Sequence, residues 1–231
     1  MRKQAMILSA GIGSRLGELT NDKPKALVEY HGKPLILHVL DKLRESGFTR
    51  IIVNVHHFAN LLVDFLESQR DEFDEIIISN ESELLDTGGG IKNASIYFDD
   101  SPILIHNVDI ISNIDLNKFW NFHKGTDEIV SLAVKDRNTT RSLLMNDKNL
   151  LCGWRDNRNG DEIISRPKER LMPIAFSGIY ILDKRFIEML PKVAPYSIMT
   201  EFLKFSKKTD IRLYAHSADD WKDIGKLDAF Q

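Results

Sequence analysis

Residues 4–28 read QAMILSAGIGSRLGELTNDKPKALV, a short apolar run that breaks into a loop with three glycines, one arginine and closely spaced lysines. The run over 4–10 is bounded by Gly11, as a buried strand would be. In an open α/β sheet, ligands sit beyond the carboxyl ends of strands. Glycines at that place let backbone N–H groups approach phosphate oxygens closely. Two familiar phosphate loops are excluded. A Walker A loop ends in Gly-Lys-Ser/Thr, which is absent. The dinucleotide fingerprint wants a third glycine three places after the second, and Leu16 stands there. The loop is directed at phosphate in another way: Ala10, Gly11 and Gly13 offer backbone, Arg15 a planar fork, and Lys25 a mobile charge after the restraining Pro24. Without those cations, a lone Gly-x-Gly reads as an ordinary tight turn.

Outward from the loop, strand and helix patterns alternate. Residues 34–47 (PLILHVLDKLRESG) open on proline and close on glycine, with apolar residues at 35, 36, 39, 40 and 43, the spacing of an amphipathic helix. RIIVNV (50–55), EIIIS (75–79) and PILIH (102–106) are strand-like. FANLLVDFLESQ (58–69) is helical, and GGIKNASIYF predicts a helix beginning at its glycines. Beyond about residue 127, EIVSLAV (128–134), IAFSGIYIL (174–182) and IRLYAH (211–216) read as strands, and SIMTEFLKFSKK (197–208) as a helix. The alternation predicts an α/β fold, a Rossmann-like open mixed sheet, mainly parallel, with helices on both faces. A single domain over 1–231 is expected, with one half to about residue 126 and a less regular half from about 127.

Composition narrows the class. With 42% hydrophobic and 28% charged residues, the 231-residue chain suits a globular protein with a sizeable core. A net charge of −3 argues against general nucleic-acid binding. No apolar run reaches the ~18 residues of a membrane span, and the N-terminal apolar stretch is short for a signal peptide. One cysteine, Cys152, excludes an intrachain disulfide framework, and a cytoplasmic address follows as the expectation. Oligomeric state is left open.

The run A-G-x-G-S-R-L…T…K-P-K-x-L-V resembles the signature of the sugar nucleotidyltransferases, which join a nucleoside triphosphate to a sugar phosphate. Four further stretches match in order: LLDTGGGIKNA (84–94), LIHNVDI (104–110), FSGIYIL (176–182) and WKDIG (221–225). Length, triple glycine and the F-S-G-I strand most resemble the N-acetylmuramate-1-phosphate uridylyltransferases. Mannose- or heptose-1-phosphate guanylyltransferases, phosphocholine cytidylyltransferases and a non-catalytic nucleotide-sugar sensor are the alternatives. The resemblance implies a nucleotide-binding first half and a sugar-binding second half, UTP as nucleotide, and pyrophosphate release. It implies that Arg15 and Lys25 are catalytic, that Thr87 and Gly88 join the loop in holding the nucleotide, and that Phe176, Gly178 and Glu201 face the sugar. It also implies that Asp109 and Asp223 hold Mg²⁺, an ion that takes few protein oxygens alongside phosphates and water.

The chain departs from its relatives at two instructive places. Asn107-Val108-Asp109 stands where Asn-Gly-Asp is frequent, and Phe176 where an asparagine often contacts sugar. Either aspartate alone would read as a turn or cap residue, Gly178 as a bulge and Glu201 as part of a solvated helix face. Lys168 in SRPKER is a candidate for the sugar phosphate, against a solvated charge run. His56-His57 lacks a third ligand at metal spacing, and Trp154 and Cys152 read as packing residues.

Overall fold

The computed structural model describes residues 2–167 and 170–230. In chain order the elements are β1 (Lys3–Leu8), β2 (Glu29–Tyr30), β3 (Lys33–Pro34), α1 (Leu35–Glu45), β4 (Phe48–Val55), α2 (Ala59–Glu67), β5 (Glu75–Asn80), α3 (Asp86–Ala94), β6 (Ile103–Asn107), β7 (Ile110–Ser112) and α4 (Leu116–Lys124). There follow β8 (Val130–Lys135), β9 (Arg141–Met145), β10 (Leu151–Asp156), β11 (Glu162–Ile164), β12 (Met172–Leu182), α5 (Lys184–Met189), α6 (Ile198–Phe205), β13 (Arg212–Ala215) and β14 (Trp221–Asp223).

Ten strands form one mixed sheet in the order β11-β10-β9-β12-β6-β1-β4-β5, with β8 beside β12 and β13 beside β8. Its central part, β5-β4-β1-β6, is parallel. β12 joins antiparallel to β6 and carries the antiparallel outer strands. The sheet therefore runs without a break through both halves of the chain.

Alternation along the central strands puts helices on both faces. Ala5 and Ile7 of β1, with Ile51 and Val53 of β4, pack with α1, α2 and α4. Met6 and Ile52 point the other way, with Ile91 of α3, Phe186 of α5 and Phe202 of α6. The period-2 reading of these strands and the 3.6-period reading of α1 are what this two-sided burial requires. α1 stops at Ser46, and Gly47 takes φ +76°, the left-handed conformation that glycine adopts after a helix.

Two expectations change in detail. α3 starts at Asp86, two residues before the glycines, so all three lie inside the helix. Strands β9, β10 and β11 were not read from the sequence. They are short, and β11 is solvent-exposed along its length, so apolar patterning is weak there.

Candidate active site: two clefts that share Arg15

The carboxyl ends of β1 and β6 open into a cleft of about 490 Å³ lined by Ala10, Gly11, Lys25, Thr87 and Asp109, among others. Its floor is clamped by residues that no motif pointed to. The Ser9 N–H donates to Asn54 Oδ1 at 2.8 Å, and the Ser9 hydroxyl donates to the Asn54 carbonyl. The Asn54 amide donates to Glu81 Oε1 at 2.7 Å, and the Leu85 N–H to Glu81 Oε2 at 3.2 Å. Asn54 and Glu81 are both buried. This chain of bonds ties the start of the glycine loop to β4 and to the approach of α3. His56 belongs to the same frame, with Nδ1 2.9 Å from the Glu81 carbonyl oxygen.

Beyond the clamp, Gly11 has no atom within 4 Å of where a Cβ would stand, so its backbone is open to the cleft. Gly13 takes φ +74°, and a Cβ there would press on Thr20 and on the stem of Lys25. The turn at Gly13 thus lets Lys25 cross beneath the loop and bond to Asp109. That pair is nearly closed to solvent, with side-chain exposures of 10% and 13%.

The triple glycine serves a different purpose from the expected one. A Cβ at Gly88 would come within 2.4 Å of the Tyr196 ring, and one at Gly89 within 2.6 Å of Ala194. The Gly88 and Gly89 N–H groups are spent on the Tyr196 carbonyl at 2.9 and 3.3 Å. Gly88 is therefore a packing residue between α3 and the 194–196 segment, and it does not line the cleft. A Cβ at Gly90 would meet Glu81 Oε1 at 2.6 Å, so that glycine leaves room for the clamp. Thr87 does line the cleft, its N–H bonded to Asp86 Oδ1 at 2.6 Å. Asp86 itself, at φ +58°, lines the cleft beside it.

A second, wider cleft of about 1180 Å³ lies under β9, β10 and β12. Phe176, Trp154, Leu143 and Met199 form its apolar surface, and Arg15, Arg137, Arg141, Arg158 and Lys226 make it cationic. The Arg137 guanidinium carbon lies over the Trp221 ring, 3.7 Å from its centroid, and Arg137 donates to the Phe176 carbonyl at 2.8 Å. Burial lowers its pKa from the ordinary value, while the carboxylate of Asp223 acts the other way. Trp221 donates from Nε1 to the Ser177 carbonyl at 3.0 Å. Trp154 is therefore a cleft residue as well as a packing one, whereas Cys152 is buried.

Two expected sugar contacts are not brought here. Gly178, at φ +74°, sits where the β12–β8 register shifts, and a Cβ on it would collide with Ile110 at 2.7 Å. It is the bulge residue, with its open side already filled. Glu201 is 3% exposed on α6 and pairs with Lys204 at 2.7 Å, away from both linings. Lys168 lies outside the described residues.

The two linings share Arg15, and Gly225 stands beside it. β14 runs antiparallel to β7, and the Ile224 N–H donates to the Asp109 carbonyl at 2.8 Å. This returns the C-terminal segment to the end of β6. A Cβ on Gly225 would stand 2.7 Å from Asp223 Oδ1, 2.8 Å from Asp109 Oδ2 and 3.1 Å from Arg15 Nη2. The gap between the two carboxylate oxygens is thus no wider than the sum of the first two distances. A shared Mg²⁺ needs about twice its ~2.1 Å ligand distance, which that geometry accommodates. Among the described residues no cluster of three or more His, Cys, Asp or Glu is arranged to hold a metal. Two carboxylates with phosphates and water as further ligands are the Mg²⁺ pattern. Arg15 lines both clefts, Asp109 the first and Asp223 the second. None of the helices in the described residues is long and apolar enough to cross a membrane.

Comparison with known proteins identifies the family. The nucleotidyl transferase family model matches residues 4–231. An N-acetylmuramate alpha-1-phosphate uridylyltransferase of Caulobacter vibrioides is 34% identical over 208 residues, covering 85% of this chain and 81% of that protein. Mannose-1-phosphate guanyltransferase 2 of Candida glabrata is 32% identical and covers 96% of this chain, which spans 61% of that protein's length. The crystal structure of HddC from Yersinia pseudotuberculosis, complexed with GMP-PN, superposes with a TM-score of 0.79 at 25% identity, covering 99% of this chain and 96% of that one.

Proposed function

The chain belongs to the nucleotidyl transferase family, and on that premise we propose that it joins UTP to N-acetylmuramate 1-phosphate with release of pyrophosphate. Sugar-phosphate nucleotidyltransfer is the activity of the family and its relatives; the two substrates are our assignment. The observation that carries it is the meeting of Arg15, Asp109 and Asp223 at the junction of a nucleotide-sized cleft and a wider, partly apolar one.

An oxygen of the sugar phosphate attacks the α-phosphorus, forming the new O–P bond as the bond to pyrophosphate breaks. A phosphate monoester loses its second proton near pH 6, so the nucleophile is ionised at pH 7 without a general base. The remaining problem is electrostatic: two anions must meet, and charge grows on pyrophosphate. Ala10, Gly11 and Gly13 present backbone to the phosphates, and Arg15 bridges the two substrates from its place in both clefts. Lys25 leaves Asp109 to reach the leaving group. Asp109 and Asp223 fit a Mg²⁺ ion, which when bound supplies charge neutralisation between the phosphates. Phe176 and Trp154 take the apolar part of the sugar. Catalysis in the cytoplasm belongs to the same proposal.

One observation favours a second reading. Asp86 places a carboxylate in the nucleotide cleft, and guanine offers two adjacent N–H donors to such a group. GTP with a hexose 1-phosphate is that alternative. A matrix of four nucleoside triphosphates against a panel of sugar phosphates, read by pyrophosphate release, tests both. The highest rate is expected with UTP and N-acetylmuramate 1-phosphate. A GTP optimum selects the second reading, and no release from any pair rejects both.

A further inference from the structure

The second cleft holds more positive charge than phosphate transfer uses. Asp223 is the single acid among its lining residues, against four arginines and one lysine. Arg15 faces the reaction centre, and Arg137 is fixed on Trp221 as a wall. Arg158 gives its fork to both oxygens of Asp156. Arg141 stands opposite Asp156 in the β9–β10 pair and its charge acts on that carboxylate, but the carboxylate's oxygens are hydrogen-bonded by Arg158, and among the described residues the Arg141 guanidinium has no ion pair within 4 Å.

The register says what lies beside that guanidinium. Leu143 pairs with Trp154 on one side and with Ile174 on the other. Alternate residues of a strand share a face, about 7 Å apart. Arg141 is therefore one step along from Leu143 on the same face as the apolar floor made with Trp154. A cation one pleat beyond an apolar floor, in a cleft that takes a sugar phosphate, has a chemical complement: a short apolar arm ending in an acid.

We infer that Arg141 receives a carboxylate carried on an apolar arm of the sugar, which makes this cleft selective for acidic sugar 1-phosphates. The inference rests on the sugar-phosphate reading of the cleft given above. A neutral sugar leaves the Arg141 fork to water. A cationic substituent such as a quaternary ammonium group is repelled by the five positive side chains. A second phosphate would meet the charge but would not use the floor.

Calorimetric titration with N-acetylmuramate 1-phosphate, N-acetylglucosamine 1-phosphate and glucose 1,6-bisphosphate tests this in the wild-type chain, Arg141→Ala and Arg141→Lys. The first two sugars differ by the acidic ether arm alone. The wild type should bind the acidic sugar at least tenfold more tightly than its neutral counterpart, since a charge-assisted hydrogen bond corresponds to roughly tenfold to hundredfold in affinity. Arg141→Ala should bring that ratio close to one. Arg141→Lys should keep part of it, because an ammonium supplies charge without the fork. Equal wild-type affinities, a ratio that survives Arg141→Ala, or tighter binding of the bisphosphate than of the acidic sugar would overturn the inference. Pyrophosphate release is measured in parallel. Its absence with every substrate pair rejects the proposed reaction, while the binding ratio still decides the role of Arg141.

Discussion

Lys25 Nζ bonds to Asp109 Oδ2 although 84 positions separate them. The loop after β1 and the end of β6 are thereby locked together at the mouth of the nucleotide cleft. Removing one partner of such a pair leaves the other charge poorly solvated. Lys25→Met should therefore lower stability by about 3–5 kcal/mol in urea unfolding, and Asp109→Asn in the same chain should recover part of the loss. Both Lys25→Met and Arg15→Ala should cut turnover by about 10²–10³, the usual cost of one charge-stabilising contact. Arg15 is exposed, so its variant should unfold as the wild type does. Near wild-type turnover in both would remove the loop from the mechanism.

Phe176 lines the second cleft and makes ring contact with Tyr180 at 5.8 Å. Replacing it with asparagine exchanges an apolar surface for an amide. We expect Phe176→Asn to shift relative kcat/KM across a sugar-phosphate panel toward neutral hexoses. The order of preference among nucleotides should not change. Unaltered ratios across the panel would mean that this ring does not face the sugar.

What could be read in advance follows from where the physics is local. The alternation of β1, β4, β5 and β6 and the apolar stripe of α1 announce their own burial, so the central sheet was legible. So was the loop after β1, because glycines and cations cluster there within a few residues. Gly88 and Gly178 each stand in a motif, but their surroundings are set by Tyr196 and Ile110, which are remote in sequence. The Asn54–Glu81 clamp is invisible in the sequence because Asn54 lies one residue before the end of β4 and Glu81 one residue after the end of β5, and they meet only when those strands lie side by side. Arg137 and Arg141 stand in no motif, and only the fold of β9 and β12 brings them to one cleft.

Two glycine substitutions should separate packing from chemistry. Gly88→Ala drives a methyl into the Tyr196 ring and to 3.0 Å from its carbonyl oxygen. Overpacking of this kind costs about 1–3 kcal/mol, which thermal unfolding will register. Gly225→Ala instead pushes on the side-chain ends of Asp223, Asp109 and Arg15. Those can move, so the fold should survive while activity falls steeply. The opposite assignment, a stable Gly88→Ala or a fully active Gly225→Ala, would contradict the packing described.

Acid should weaken the fold through buried histidines. His123 is held down to about 4 by burial, its Nδ1 2.9 Å from Ser131 Oγ. His106 is likewise pushed down to about 4 by burial. In the unfolded chain both titrate near 6.5. Between about pH 6.5 and 4 the unfolded state binds protons that the folded state does not, so stability falls as pH falls. The slope is about 1.4 kcal/mol per pH unit for each group. Urea unfolding should give a plateau above pH 7 and a decline from pH 6 to 4.5. His123→Gln should reduce that slope, and a flat profile down to pH 5 would show that these rings titrate normally.

Asp109 and Asp223 give the last test, because their oxygens crowd one point from opposite clefts. Two like charges so close repel unless a cation lies between them. Lys25 already offsets Asp109, so an added divalent ion competes with that ammonium until a triphosphate draws it away. Mn²⁺ binding followed by electron paramagnetic resonance should accordingly be weak in the free protein and tighten when a nucleoside triphosphate is added. Asp109→Asn and Asp223→Asn keep shape and remove charge, so circular dichroism should be unchanged. Each should weaken nucleotide-linked Mn²⁺ binding at least tenfold, since a hard divalent ion prefers an ionised oxygen to an amide. Turnover should fall with it and return only in part at raised Mg²⁺. Full turnover in excess chelator, or nucleotide-linked Mn²⁺ binding that ignores both substitutions, would leave these carboxylates without a metal to hold.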